Sequence, residues 1–257
     1  MEEGGDGFEE NKPAVRDSAG DEFARTELLI GKDRVLKLRR STVMVLGVGG
    51  VGSHCIEALA RSGVGRLILV DNDRVSLTNI NRQSIALHST IGRYKTEVMK
   101  ERIADISPQT EVITHKLFVL PENIESIFDP RPDYIVDAVD TVTAKLAVVE
   151  KASEYGIPLI SSMGTGNKLH AELFEITDIS KTSVCPLCKV MRRELRARGI
   201  EHLKVLYSTE KPAVVPVSTN LQGEGSRRPV PGSISFVPPA AGLLIAGEAV
   251  RDIAGIL

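Results

Sequence analysis

Four closely spaced glycines could bring the backbone of this chain against a phosphate group. Gly47, Gly49 and Gly52 have the spacing G-x-G-x-x-G, and Gly50 lies between them. Such glycines permit a tight turn, and the free N–H groups at the start of a following helix attract an anion. An apolar stretch, 43–46, precedes the glycines and apolar residues at helical spacing follow them, which predicts strand, turn and helix in that order. The pattern therefore favours nucleotide binding over a purely structural turn.

Polar and charged residues follow the next predicted strand, 66–70. Asp71 ends that strand, where a carboxylate can bind ribose hydroxyls. Asn79, Arg82 and Gln83 then come in quick succession, and a domain that binds only a nicotinamide cofactor has no need of them. Asn79 and Gln83 could bind ribose or phosphate oxygens, or could merely order the loop. Taken alone, Arg82 would more often be a surface cation.

The elements around these residues predict an α/β fold. It is a Rossmann-like, mostly parallel sheet with helices on both faces, extended by antiparallel strands in the C-terminal part. Predicted strands and helices alternate up to Ser162, and the pattern changes after Gly164. The predicted strands are 43–46, 66–70, 112–115, 134–138, 157–162, 169–176 and 233–237, and the predicted helices are 23–40 with a break at Gly31, the helix after Gly52, 91–106, 124–128, 143–155, 187–198 and 240–257.

Length and composition indicate one continuous domain behind an acidic tail. The chain has 257 residues, 42% of them hydrophobic and none of them Trp, so a single core of Val, Ile, Leu and Ala is expected. Residues 1–22 carry eight acidic and two basic residues and are predicted to be disordered. The remaining 30 basic and 26 acidic residues permit a polyanionic partner. We expect one domain, 23–257, made of a nucleotide-binding core, 23–163, and a second part, 164–257, with a mobile loop at 211–232.

Three cysteines, Cys55, Cys185 and Cys188, cannot form a disulfide framework. Together with the lack of a signal peptide, they predict a reducing, cytoplasmic location. The sequence has no run of 18 apolar residues, so no membrane span is predicted. The Cys185-Pro-Leu-Cys188 pair could belong to a zinc site, but tetrahedral zinc needs four ligands. His170 and His202 could be recruited as the two remaining zinc ligands, but their spacing does not indicate this role. Structural zinc is therefore not expected, and a redox pair is expected even less.

Several separated motifs resemble those of the adenylating family that includes ubiquitin-activating enzymes and the bacterial sulfur-carrier-activating enzymes of thiamine and molybdopterin synthesis. The resemblance extends from Phe23 to about Met163, and within the family the chain is most similar to the tRNA threonylcarbamoyladenosine dehydratases. The wider resemblance rests on Arg25, Gly47–Gly52, Asp71, Asn79-x-x-Arg82-Gln83, Gly92-Arg-Tyr-Lys95 and Asp137-Ala-Val-Asp140, and the narrower one on Phe23–Gly31, Asp140–Lys145, Met163–Lys168 and Lys189–Leu195.

The resemblance implies ATP and Mg²⁺ as cofactors. Arg82 and Lys95 resemble the family's triphosphate-binding pair, and Asp140 resembles the carboxylate that holds Mg²⁺ beside the phosphates. Arg25 resembles an arginine that reaches the phosphates of the neighbouring subunit in a homodimer, with a helix-surface charge as the alternative. A monovalent cation held by backbone carbonyls would leave no trace in the sequence. By resemblance, the catalytic residues are Arg25, Arg82, Lys95 and Asp140, and the nucleotide-binding residues are Gly47, Gly49, Gly50, Gly52, Asp71, Asn79, Arg82, Gln83, Lys95 and Asp140.

The implied activity is adenylation of the threonyl carboxylate of a modified adenosine beside the tRNA anticodon, followed by ring closure and release of AMP. Residues 189–257 contain no cysteine, whereas carrier-activating relatives commonly use one there, and intramolecular ring closure needs no enzyme nucleophile. The alternatives are an adenylating enzyme for a sulfur-carrier C-terminus, a nicotinamide-dependent oxidoreductase and a non-catalytic nucleotide sensor. The basic helix 187–198 and the pair Arg227-Arg228 modestly favour a nucleic acid. Sulfur-transfer proteins are further candidate partners, and no membrane contact is expected.

Overall fold

The computed structural model describes residues 22–214 and 231–256. The predicted acidic tail apart from Glu22, and most of the predicted loop 211–232, lie outside these ranges. Within them the chain forms one mixed sheet surrounded by helices. The strands are β1 Thr42–Leu46, β2 Arg66–Val70, β3 Glu111–His115, β4 Tyr134–Asp137, β5 Leu159–Ser162, β6 Phe174–Asp178 and β7 Lys204–Ser208, and the α-helices are α1 Ala24–Ile30, α2 Lys32–Arg39, α3 Gly52–Arg61, α4 Lys95–Ile106, α5 Val142–Tyr155, α6 Pro186–Arg196 and α7 Val237–Ala254.

The strand order in the sheet is β3-β2-β1-β4-β5-β7-β6. All neighbouring strands are parallel except β6 and β7, which pair antiparallel. This arrangement confirms the predicted parallel sheet with an antiparallel extension. After β1 the chain turns towards β2, and after β4 it turns the other way towards β5. The loops that follow β1 and β4 therefore diverge, which is the position where open α/β sheets bind their ligands.

Helices cover both faces of the sheet, as the sequence predicts. On one face α3 and α7 pack on the central strands, and on the other face α5 packs on them. β1 is buried along its whole length because both of its faces are covered. Gly242 of α7 lies so close to α3 that a Cβ atom there would be 2.3 Å from the Val51 carbonyl oxygen. The missing side chain lets α7 brace the helix that follows the glycine turn.

The structure corrects the prediction at the C-terminal end of the sheet. The predicted strand 233–237 is wrong, because residues 233–236 lie outside the sheet and α7 begins at Val237 with Pro238 in its first turn. The strand that pairs with β6 is β7, which the sequence analysis did not identify. β6 itself begins at Phe174, later than the predicted start at Leu169.

The predicted break between the first two helices at Gly31 is confirmed, and its φ of +88° explains why a glycine stands there. The predicted helix 91–106 begins only at Lys95. In the described part of the chain, no helix combines the length and the apolar character that crossing a membrane requires.

Candidate active site

A cleft of about 620 Å³ opens at the carboxyl ends of the parallel strands. It lies where the loops after β1 and β4 diverge, and residues after β2, β3 and β5 complete its walls. One more wall comes from residues just before α7. The lining includes Gly47, Gly49, Gly50, Asp71, Asp73, Asn79, Arg82, Gln83, Lys95, Leu117, Phe118, Val119, Asp140, Ser162, Gly164, Thr165, Gly166, Leu187, Pro231, Gly232 and Ser233.

The glycine turn is packed too tightly for side chains at two of its positions. Gly47 has a φ of +88°, and a Cβ atom there would lie 2.6 Å from the Ala138 carbonyl oxygen. A Cβ atom on Gly52 would lie 1.7 Å from the Gly47 carbonyl oxygen. Since α3 begins at Gly52 and Gly49 and Gly50 line the cleft, the start of this helix faces the cavity. The turn thus has the shape and the dipole orientation of a phosphate-binding site.

Asp71 joins the end of β2 to this turn. One of its carboxylate oxygens accepts a hydrogen bond from the Val48 N–H at 2.7 Å, and the other accepts one from the Asp73 N–H at 2.7 Å. Burial raises the pKa of Asp71, which the nearby Lys95 ammonium opposes. The carboxylate lines the cleft in a fixed orientation. Its remaining lone pairs are suited to accept hydrogen bonds from ribose hydroxyls.

Lys95 is a buried cation at the first position of α4, only 5% exposed. Its Nζ lies 2.6 Å from an oxygen of Asp73, whose own side chain is largely exposed. The two neighbouring carboxylates have different roles: Asp71 orders the turn, and Asp73 compensates the positive charge of Lys95. A phosphate group in the cleft would compete with Asp73 for the Lys95 ammonium.

The loop after β2 contains both ordering and binding groups. Asn79 is buried, and its side-chain oxygen accepts a hydrogen bond from the Ser76 N–H at 3.1 Å, so Asn79 orders the loop. Gln83 is 6% exposed and lines the cleft, and its Oε1 has no hydrogen-bond partner among the described residues. Because buried polar atoms are normally hydrogen-bonded, this oxygen is a candidate acceptor for a ligand hydroxyl.

Arg82 lies half-buried on the same wall of the cleft. Its Nη1 donates to the Thr78 carbonyl oxygen and to the Asn81 side-chain oxygen, each at 3.0 Å. Burial lowers the pKa of Arg82, which stays far above neutrality because a guanidinium does not lose its proton in proteins. Among the described residues, the hydrogen bonds of the Arg82 side chain involve only Nη1, so the rest of the guanidinium group remains available for an anion.

Asp140 is exposed and lines the cleft from the loop after β4. A buried ion pair that the sequence analysis did not assign to the site holds this loop. The fully buried Lys145 Nζ lies 2.9 Å from Asp137 Oδ2 and donates to the Ser161 Oγ and the Ser162 carbonyl oxygen. Asp137 Oδ1 in turn accepts from the Val139 N–H at 3.2 Å. The network ties β4, β5 and α5 together at the two ends of the loop that carries Asp140.

Asn167 and Asn81 hold the cleft wall formed by residues 231–233. The Asn167 N–H donates to the Gly232 carbonyl oxygen at 2.8 Å, and the Gly232 N–H donates to the Asn167 side-chain oxygen at 2.6 Å. At the other end, the Asn81 amide donates to the Ser233 carbonyl oxygen at 3.0 Å. Asn167 has a φ of +56°, which asparagine tolerates better than most residues. Neither asparagine was predicted from the sequence to be a site residue.

Arg25 does not line the cleft of its own chain. It lies exposed on α1, the helix that also exposes Leu28 (89%) and Leu29 (85%). The structure therefore brings nine of the ten predicted nucleotide-binding residues to the cleft lining, while Gly52 lies behind the glycine turn. A role for Arg25 in the cleft of a neighbouring subunit stays a prediction.

The two cysteines of the Cys-x-x-Cys pair are buried at the start of α6, and neither forms a disulfide. The hydrogen bond from the Cys188 thiol, together with those from the backbone N–H groups of Cys188, Gly164 and Leu187, holds the pKa of Cys185 below its usual value. Burial alone raises the pKa of Cys55. Within residues 22–214 and 231–256, no three His, Cys, Asp or Glu side chains are grouped as metal ligands. The expectation that structural zinc is missing stays a prediction.

Comparison with known proteins gives consistent matches. A sequence model of the ThiF family matches residues 23–256. A tRNA threonylcarbamoyladenosine dehydratase of Bacillus subtilis is 46% identical over 239 residues, which cover 90% of this chain and 94% of the relative. The enzyme of that name from Escherichia coli is 36% identical over 183 residues, 71% of this chain and 68% of the relative. The crystal structure of the E. coli protein with ATP has a TM-score of 0.84 and 30% identity, covering 94% of this chain and 97% of that one.

Proposed function

The chain belongs to the ThiF family and, within it, to the tRNA threonylcarbamoyladenosine dehydratases, and from this premise we propose the reaction that it catalyses. It uses ATP to adenylate the carboxylate of threonylcarbamoyladenosine in tRNA and drives the cyclisation of that nucleoside. AMP and pyrophosphate are released. The observation that carries the proposal is the cleft itself: two cations, Lys95 and Arg82, face a glycine turn at the switch point of the sheet.

The first step transfers AMP to the substrate. A carboxylate oxygen of the threonyl group attacks the α-phosphorus of ATP, the bond to the β-phosphate oxygen breaks, and pyrophosphate leaves. Negative charge shifts onto the leaving group, and Lys95 and the available part of the Arg82 guanidinium group stabilise it in a partly water-excluded site. Asp71 and Gln83 orient the ribose, which holds the α-phosphorus in line with the attacking oxygen.

The second step closes the ring within the substrate. The ureido group of the same nucleoside attacks the activated acyl carbon, gives up its proton, and AMP departs, so that the elements of water have been removed. No cysteine is needed for this step, and residues 189–257 contain none. The protein contributes mainly by holding both ends of one flexible substituent near each other.

We assign Mg²⁺ to Asp140, because this exposed residue lines the cleft from the loop after β4, next to the glycine turn. Mg²⁺ commonly binds one or two carboxylates together with phosphate oxygens and water. The ion would neutralise phosphate charge and orient the triphosphate. Asp137 is not a ligand in this proposal, since it is fully buried against Lys145.

We also propose a homodimer in which Arg25 completes the cleft of the partner. The support is the position of Arg25 on a helix that exposes two adjacent leucines, Leu28 and Leu29, which a second copy would cover. Two cations alone compensate the triphosphate only partly, and a third from a neighbour would assist the departure of pyrophosphate.

The remaining assignments follow from this function. Residues 23–163 form the nucleotide-binding part and residues 164–257 the substrate and dimer part of one domain, in a cytoplasmic enzyme whose described cysteines are all free thiols. A monovalent cation and contacts with sulfur-transfer proteins remain predictions.

The decisive experiment is nucleoside mass spectrometry of bulk tRNA incubated with the protein and ATP. We expect threonylcarbamoyladenosine to disappear as a product lighter by one water appears, with one AMP formed per product. The control omits ATP. Unchanged tRNA, together with pyrophosphate release that depends on a small carrier protein, would instead identify a carrier-activating enzyme.

A further inference from the structure

We infer that an exposed row of cations on α6 binds the phosphodiester backbone of the RNA substrate and guides it into the cleft. The row consists of Lys189, Arg193 and Arg196 and is called the cation row below. The inference rests on the proposed function, because it assigns the surface through which the tRNA of that reaction is held.

The cation row lies on one side of a single helix. Its members follow each other at intervals of four and three residues, the spacing that brings side chains onto one face of an α-helix. With a rise of about 1.5 Å per residue, the row is roughly 10 Å long. That length matches a few nucleotides of an RNA strand, so the three side chains can reach successive phosphates. All three residues are exposed.

Carboxylates of the described residues neutralise little of the charge of the cation row. Among residues 22–214 and 231–256, Lys189 and Arg196 have no carboxylate partner. In the described part of the chain Arg193 pairs only with the adjacent Glu194, and its side chain is 77% exposed. Such exposed pairs contribute little to stability and are readily exchanged for another anion.

The other two cations of this region behave differently. Arg192 is held by the Thr182 carbonyl and hydroxyl oxygens, and Arg198 pairs with Glu150 and Glu194. These two arginines fix α6 to its surroundings. The contrast separates structural cations from those that remain available to a ligand.

The first turn of α6 lies beside the cleft, and the row begins in that turn on the solvent side of the helix. Leu187, two residues before Lys189, lines the cleft itself. On the inward side of the helix, Cys188, Met191 and Leu195 are buried in one apolar cluster, which leaves the row on the outer side of α6. A backbone that binds along the row is therefore led towards the nucleotide site. This positioning would bring the modified base of an RNA loop into the cleft.

The test compares Lys189→Gln/Arg196→Gln with a control of equal charge change, Lys37→Gln/Arg40→Gln. Lys37 and Arg40 are exposed at the amino ends of the strands, on the edge opposite the cleft. Filter binding of tRNA is measured across a range of salt concentrations, ATP binding is measured by calorimetry, and circular dichroism checks the fold.

For the Lys189/Arg196 variant, we expect tRNA affinity to fall on the order of 30-fold at 0.1 M salt, with the slope of log K against log salt smaller by about 1.5–2. The affinity for ATP and the kcat at saturating tRNA should be unchanged. The control variant should retain wild-type affinity within about twofold.

Three results would overturn the inference. One is a wild-type salt slope in the Lys189/Arg196 variant, and another is an equal loss in the control, which would reflect net charge alone. The third is unchanged tRNA binding with lost binding to an acidic protein or to anionic vesicles. If the wild-type protein cyclises tRNA but the row is irrelevant, the inference alone fails. If the wild-type protein neither binds nor changes tRNA, the proposed function fails with it.

Discussion

Replacement of Lys145 by methionine would leave the Asp137 carboxylate buried without its cation. Methionine fits the space of the lysine stem but cannot donate to Asp137, to Ser161 or to the Ser162 carbonyl oxygen. Breaking one partner of a buried pair commonly costs about 3–5 kcal/mol. For a protein of this size each kcal/mol shifts the melting temperature by about 2–4 °C, so Lys145→Met should melt about 6–20 °C lower.

Two further variants make the test specific. Lys151→Met removes a lysine from the same helix whose ion pairs with Glu125 and Glu154 lie near the surface, and it should cost no more than about 1 kcal/mol. Asp137→Asn/Lys145→Met removes both charges and should be more stable than Lys145→Met alone. Urea unfolding monitored by circular dichroism measures all three variants. A loss of less than 1 kcal/mol in Lys145→Met, or a double variant less stable than the single one, would refute the reasoning.

Three further predictions concern the proposed reaction. Calorimetric titration should show binding of ATP with Mg²⁺ and none of NAD⁺, and the reverse pattern would exclude adenylation. Asp140→Ala and Arg82→Ala should each slow tRNA-dependent ATP–pyrophosphate exchange on the order of 10²–10³-fold while the circular dichroism spectrum stays unchanged; near wild-type exchange would remove both residues from the site. Arg25→Ala and Asp140→Ala, each inactive alone, should recover about a quarter of wild-type activity after subunit exchange, since half of the dimers are then mixed and carry one intact site. No recovery despite proven exchange would place Arg25 outside the partner's cleft.

Local chemistry made most of the cleft predictable. A glycine turn between a buried strand and a helix, followed by a carboxylate at the end of the next strand, is defined within some thirty residues of chain. Asp71 therefore lies where the local pattern places it, whereas Lys95 was expected in the cleft only from the family resemblance. The alternative role foreseen for Asn79, ordering its loop, is the one that its hydrogen bond supports.

Long-range contacts were not predictable in the same way. Lys145 looks like an ordinary helix residue until β4 and β5 bring Asp137 and Ser161 against it. Asn167 meets Gly232 only after the chain has passed through β6, α6 and β7. The wrong strand at 233–237 has a related cause: its alternating apolar residues match a strand locally, but Pro238 and the contact with α3 favour the start of a helix.

The hydrogen bonds of Asn167 to Ala213 and Gly232 make the shape of the cleft wall independent of the length of the segment between those two residues. The Ala213 N–H donates to the Asn167 carbonyl oxygen, and Gly232 bonds to both the N–H and the side-chain oxygen of the same residue. Both ends of the segment between Ala213 and Gly232 are therefore held at Asn167. The entropic cost of closing a loop between fixed ends rises by only about 0.6 kcal/mol for each doubling of its length. Insertions between Ala213 and Gly232 should therefore be tolerated in evolution and in protein engineering, whereas a shortening that pulls Gly232 away from Asn167 would deform the cleft wall.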